Sequence, residues 1–332
     1  MTKNIEEFLE QVKKHFLKSK NSILQMGITY KDQPSTYSFN NPNHHQHFGL
    51  GSISKVILSS YICEMIYNNE ILIDKTIDYY LPFLKRNQYP TVLSLLTHTS
   101  GYYGFTPMFK TMKSLLCHGF NKKNIYKKID RKWLINSIDK IRRHRKLKYR
   151  YSDYNYAIIA LIIEHIKQKP YQTIIMEYLN HKIDMKDTYY GNMDNTRNDH
   201  LSWLWEEDNP FLASGGLFST VDDMMKFAHY QITHQDRLKP AFEKYFKLGK
   251  KKNIYTGFSW NSFYNGAFFW HIGGQGNYRS YLLIDVKKEI SIVILSTVDV
   301  NFQHVNRLGS CLYRNVKRNY SLVERYLQQN NI

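Results

Sequence analysis

Gly51-Ser52-Ile53-Ser54-Lys55, opening onto Val56, Ile57, Leu58, Tyr61, Ile62, Met65 and Ile66, anchors the reading of this chain. The apolar spacing predicts a buried helix with Ser52 and Lys55 in its first turn. Residues three apart on a helix share a face, so the hydroxyl and the amine meet one turn apart. A serine hydroxyl becomes an effective nucleophile when a neighbouring base takes its proton. A lysine does this near neutral pH when burial or nearby positive charge lowers its pKa. The helix N-terminus adds unpaired N–H groups and partial positive charge, which suits an attack that creates an oxyanion. Alone, Ser-x-x-Lys is a weak signal, because the same spacing marks many solvated helix starts.

Two further stretches sharpen it. Tyr151-Ser152-Asp153 stands just ahead of the strongly apolar run Tyr154 to Glu164, and Trp270-His271-Ile272-Gly273-Gly274 sits among strand-like, aromatic sequence. Ser-x-x-Lys, Tyr-Ser-Asp and His-x-Gly, in that order, resemble the three active-site motifs of the serine β-lactamase and penicillin-binding superfamily. The match is closest to its class C-like branch of β-lactamases, DD-peptidases, D-amino-acid peptidases and esterases. Thr91 to Gly101, Met185 to Thr188 and Ala213 to Met224 are similar to further signatures of that family. The resemblance therefore runs from about residue 20 to about residue 300, in family order.

The resemblance implies a role for each motif residue. Ser52 is the expected nucleophile, Lys55 holds and relays its proton, and Tyr151 is the candidate general base and acid. An ordinary tyrosine ionises near ~10, so a base role requires a cationic neighbourhood from Lys55 and His271. Tyr149, Tyr154 and Tyr156 are rivals by position. Asp153 stands where the family usually carries asparagine; a carboxylate accepts only and is expected to favour a protonated Lys55, raising its pKa. His271 replaces a lysine, and is expected to hydrogen-bond Tyr151 or a substrate carboxylate and to become cationic at mildly acid pH. Gly273 and Gly274 let a substrate lie against the strand, and the Gly274 N–H, paired with that of Ser52, is the expected oxyanion hole. His98, in Leu96-Thr97-His98-Thr99-Ser100-Gly101, reads as a structural hydrogen-bonder at a helix end.

The expected fold class is α+β, an α/β sandwich. An antiparallel sheet built from both chain ends is flanked by helices, with an inserted, mainly helical subdomain, as in β-lactamases and transpeptidases. We expect one catalytic domain over residues 1–332, its sheet region at about 1–60 and 206–332 and its helical region at about 61–205. Strands are expected at 22–30, 35–40, 255–262, 267–271, 278–285 and 290–297, with Asn265-Gly266, Gly273-Gly274 and Lys287-Lys288 as separators. A helix begun by Ser219, Thr220, Asp222 and Asp223 and a last helix at roughly 301–328 complete the pattern.

Composition excludes several function classes. No apolar run approaches the ~20 residues that span a bilayer, and the amphipathic first twenty residues lack the pattern of a secretory signal. Location is read as cytoplasmic as given, or extracytoplasmic if a leader has been removed. Cys63, Cys117 and Cys311 are too few for a disulfide framework or zinc site, His44, His45 and His47 read as solvated, and no metal or cofactor is indicated. Net charge is +18, and residues 122–150 carry 13 basic side chains against Asp130 and Asp139. That segment is either a solvated face or a docking surface for an anionic polymer or membrane; no nucleic-acid motif accompanies it. The function expected is a serine hydrolase acting through an acyl-enzyme on an ester or amide, favouring D-amino-acyl or small carboxylic ester substrates. Alternatives are a β-lactamase or DD-carboxypeptidase, or a catalytically weak protein that binds wall polymer.

Overall fold

The computed structural model describes residues 22–40, 46–86, 88–102, 124–141, 148–191, 203–248, 253–263, 265–297 and 302–329. Strands β1 (Leu24–Tyr30) and β2 (Gln33–Phe39) come early in the chain. The short strands β3 (Phe48–Gly49), β4 (Tyr189–Tyr190) and β5 (Leu217–Ser219) follow. Later come β6 (Phe246–Lys247), β7 (Tyr255–Thr256), β8 (Asn261–Phe263), β9 (Phe268–Gln275), β10 (Tyr278–Asp285) and β11 (Ile290–Ser296). Eight of them form one antiparallel sheet in the order β2-β1-β11-β10-β9-β8-β7-β6, and β3-β5-β4 form a small second sheet. The expected sheet from both chain ends is therefore present, closed where Leu24 pairs Ser296 and Tyr30 pairs Ile290.

Side-chain alternation explains why both faces of this sheet are apolar. Successive residues point to opposite faces. Ile290, Ile292 and Ile294 join Tyr281, Leu283, Leu24, Met26 and Ile28 under the last helix, Phe302–Gln329, which adds Val305, Leu308 and Leu312. Val293, Leu295, Leu282 and Ile284 turn the other way and enter the main core with the helices Ile53–Tyr67 and Val221–Thr233. Covered on both sides, the central strands lose the polar alternation of a half-exposed antiparallel sheet.

A buried carboxylate ties the Ser52 helix to its neighbours. Glu64 is 3% exposed and accepts from Tyr230 Oη (2.5 Å), Lys182 Nζ (2.6 Å) and Arg237 Nη1 (3.3 Å). These donors come from three later segments, so one side chain fixes the helix that carries Ser52 against the rest of the core.

Three local expectations need correction. Gly273-Gly274 does not separate two strands, for β9 runs through both residues to Gln275. Two glycines weaken strand propensity, and here tertiary contact overrides it. Ser219 lies in β5, not in the following helix, whose N-cap is Thr220 with its hydroxyl accepting from Asp223 N at 3.2 Å. The mainly helical middle also contributes β4 to the small sheet. Residues 1–21, His44, His45, Cys117, and Lys122, Lys123, Arg142, Arg143, Arg145 and Lys146 of the basic segment lie outside the described residues. Within the described part of that segment, Arg131 pairs with Glu164 at 2.8 Å.

Glu64→Ala should strand two cations and a phenol around a void and destabilise the fold by about 2–4 kcal/mol. Urea unfolding measures this; a loss below about 1 kcal/mol would mean the cluster behaves as a solvated one.

Candidate active site

The site is assembled by close backbone approach. Gly51, at φ +51°, turns the chain into the Ser52 helix, and a methyl there would meet Gly274 N at 2.3 Å. A methyl on Gly273 would stand 1.9 Å from the Leu50 carbonyl oxygen. That oxygen accepts instead from Ser280 Oγ at 2.6 Å. Only glycine permits this contact, and it sets β9 directly beside the Ser52 turn. β8 pairs with β9 only as far as Trp270, so residues 271–275 form an edge unpaired by β8 along the cleft.

Ser52 is the helix N-cap, yet its side chain makes no capping bond. Its Oγ accepts from Lys55 Nζ at 3.0 Å and from Tyr151 Oη at 2.6 Å. Lys55 is fully buried; its amine also donates to the Ser214 carbonyl oxygen at 2.6 Å and pairs with Asp153 Oδ1 at 2.6 Å. Three acceptors for three protons suit an ammonium. Burial opposes it and, against the expected rise, holds the Lys55 pKa below its ordinary value although Asp153 pulls it up. Desolvation among its neighbours, then the Asp153 charge, push the Tyr151 phenol well above its usual value, although the residue as a whole is 40% exposed. Tyr151 is thus a neutral donor in the resting site, kept so first by burial and then by Asp153.

His271 differs from its expected behaviour. It is 3% exposed, and burial, then the Lys55 charge, lower its pKa to about 3, so it is not a cation at mildly acid pH. Its Nδ1 lies 2.7 Å from its neighbour's carbonyl, Ile272 O. Neutral imidazole carries one N–H; with Nδ1–H given to that carbonyl, Nε2 is left an acceptor and does not donate to a carboxylate. Its ring centroid is 6.2 Å from that of Tyr151.

Of Tyr149, Tyr151, Tyr154 and Tyr156, Tyr151 is the one whose hydroxyl reaches Ser52 Oγ. Tyr154 is engaged with Ser137 (2.8 Å) and Tyr156 with Ser59 (2.9 Å), while Tyr149 packs edge-on against His98. All seven expected residues, Ser52, Lys55, Tyr151, Asp153, His271, Gly273 and Gly274, meet on one side of the cleft or in its wall. Sequence reading missed Tyr126, whose hydroxyl donates to Asp153 Oδ2 at 2.5 Å. Its only signal was indirect: an acid at a buried helix start needs a donor for its second oxygen. A separate cavity of about 600 Å³ flanks the helix Asp153–Lys167, lined by Arg131, Ala157, Leu161, Glu164, Tyr171 and Asp208. None of the Ser52 cluster lines it.

A family model described as Beta-lactamase matches residues 24–308. The chain belongs to the beta-lactamase family. Among curated relatives, Protein flp of Staphylococcus aureus (strain MW2) is 20% identical over 307 residues, covering 85% of this chain and 59% of the relative. The Putative penicillin-binding protein PbpX of Bacillus subtilis (strain 168) is 22% identical over 247 residues, covering 71% of this chain and 58% of the relative. The beta-lactamase unit thus spans under two thirds of each. A class C beta-lactamase in complex with cefoxitin shares the fold at a TM-score of 0.75 and 14% identity, over 92% of this chain and 97% of that one. D-alanine carboxypeptidase AmpC from Burkholderia cenocepacia does so at 0.74 and 16%, over 93% and 98%. The α+β fold class and the family are those expected. Among the described residues, no helix is long and apolar enough to cross a membrane.

Two pH measurements follow from the charges. With His271 neutral down to about pH 3, the profile of kcat/KM should carry no limb from it between about pH 5 and 8. A limb near pH 6.5 that vanishes in His271→Gln would overturn that assignment. Asp153→Asn removes the charge that raises the Lys55 pKa. The amine should then lose its proton at lower pH, and the acid limb of acylation should move down; an unmoved limb means Lys55 does not set it.

Proposed function

We propose that this chain is a serine hydrolase that cleaves an ester or amide through an acyl-enzyme on Ser52. The observation that carries the reading is the double engagement of one hydroxyl, by Lys55 at 3.0 Å and Tyr151 at 2.6 Å, at a helix N-terminus. In acylation, neutral Lys55 takes the Ser52 proton as Oγ bonds to the substrate carbonyl carbon. The oxyanion is met by the N–H groups of Ser52 and Gly274, each donor worth roughly 3 kcal/mol in comparable hydrolases. As the tetrahedral species collapses, the bond to the leaving group breaks and that group takes the Tyr151 proton. The phenolate formed is offset by the lysine ammonium, whose Nζ lies 5.0 Å from the Tyr151 ring centroid. In deacylation, water attacks the ester and yields a proton to Tyr151, while Lys55 returns its own to the departing Ser52 Oγ. The balance is one ester or amide plus water giving an acid and an alcohol or amine.

D-amino-acyl esters or peptides, then small carboxylic esters, are the favoured substrates. A D-stereospecific amidohydrolase from Streptomyces sp. shares the fold at a TM-score of 0.63 and 15% identity, which supports the scaffold and not the substrate. Hydrolysis of β-lactams ranks lower, because a neutral His271 and an acidic Asp153 stand where that activity usually has lysine and asparagine. A second reading has one specific support: the Lys55–Asp153 pair at 2.6 Å favours the ammonium over the base, as a catalytically weak, polymer-binding relative would show.

A fluorophosphonate probe separates the two, since only an activated serine reacts. The wild type should be labelled at Ser52, and Ser52→Ala should lose labelling and all but a few per cent of ester turnover while keeping its Tm. Labelling of Ser52→Ala at the wild-type rate would remove Ser52 from its role; an unlabelled wild type would favour the binding protein.

A further inference from the structure

We propose that His98 is a positioning residue that holds Tyr151 against Ser52 by gripping the backbone on both sides of it and covering its ring. This inference rests on the reading of Tyr151 as the proton-carrying partner of Ser52, and adds what fixes that side chain.

Tyr151 needs such a device. It precedes the helix Asp153–Lys167 in irregular chain, next to an extended N-cap, Ser152, and as a whole is 40% exposed. Neither helix nor sheet hydrogen bonds set its place. His98 supplies two: its carbonyl oxygen accepts from Arg150 N at 2.8 Å, and its Nδ1 accepts from Ser152 N at 3.2 Å. The two bonds bracket residue 151. The imidazole then lies over the Tyr151 ring, with centroids 4.6 Å apart and planes at 36°.

His98 makes this arrangement at some strain. It sits at φ +57°, a conformation that residues with a Cβ seldom adopt, and is 1% exposed. Because Nδ1 accepts, the ring proton is on Nε2, which faces Ser259 Oγ at 3.4 Å. Ser259 lies between β7 and β8, itself at φ +59°, and its N–H donates to Leu96 O at 3.0 Å. The grip is thereby anchored to the sheet side of the cleft. Burial, then the Lys55 charge, keep the imidazole neutral, which preserves Nδ1 as an acceptor.

The test compares His98→Asn and His98→Ala in the whole chain, with kcat and KM on a p-nitrophenyl ester, the rate of fluorophosphonate labelling, Tm, and the NMR signals of ring-labelled tyrosine. Asparagine tolerates positive φ and offers an acceptor near the place of Nδ1, so it should keep the backbone grip and lose only the ring cover. We expect kcat and labelling to fall by up to roughly tenfold in the Asn variant and roughly 100-fold in the Ala variant, with KM little changed. The Tyr151 signal should shift or split in the Ala variant. Wild-type labelling by His98→Ala overturns the proposal. So do equal losses in both variants that track their Tm, because that pattern is structural damage alone. If the wild type itself is not labelled, the hydrolase reading falls, and an unchanged or a displaced Tyr151 signal still decides the positioning role.

Discussion

A lysine amine without access to water is costly to bury unless each of its protons finds an acceptor. Lys55 meets that demand with Ser52 Oγ, the Ser214 carbonyl and Asp153 Oδ1, all at 2.6–3.0 Å. The acceptors come from its own helix turn and from segments about 100 and 160 residues further along the chain. Their convergence fixes where the helix Asp153–Lys167 and the Leu212–Gly215 turn sit relative to Ser52. The glycine contacts at Gly51 and Gly273 then bring β9 close enough to wall the same point. A small displacement of any one of these segments leaves a buried charge under-satisfied, so the site and its scaffold are stabilised by the same bonds.

The same amine is pulled in two directions. Burial favours loss of its proton, and the Asp153 carboxylate favours keeping it. Tyr126 donates to the other carboxylate oxygen. Tyr126 is itself packed flat against Phe211, ring centroids 4.3 Å apart, and its backbone carbonyl is fixed by Asn209 Nδ2 at 2.6 Å. An amide at position 153 relieves the electrostatic pull and supplies N–H donors as well. The carboxylate at position 153 therefore works against the loss of a proton that burial favours at Lys55.

Much of this was legible in the sequence because helix periodicity and short motifs are local. Ser52 and Lys55 are one turn apart by spacing alone, β1 shows itself by alternation, and β11 by a mostly apolar run. What escaped depends on contacts distant in sequence. Gly273-Gly274 looks like a turn until Leu50 is seen to press on it. His271 looks like a pH-responsive group until its burial and the nearby Lys55 charge are counted. Tyr126 carries no motif at all, since its role arises from the place where its ring happens to pack. Positive-φ residues such as His98 and Ser259 are likewise invisible to propensity, because only the surrounding structure imposes that conformation.

The pairing of β1 with β11 has a kinetic consequence. Leu24 and Ser296 are partners across roughly 270 residues of intervening chain. Ribosomes add about 5–20 residues per second, so β1 and β2 leave the ribosome on the order of ten seconds or more before β11 exists. During that interval the apolar face of β1 has no native cover, and the helical middle is free to condense first. Loop closure of that length is slow, and unpaired strands are prone to association. During synthesis the sheet, and with it the cleft wall at β9, cannot be completed until the late strands reach the early pair.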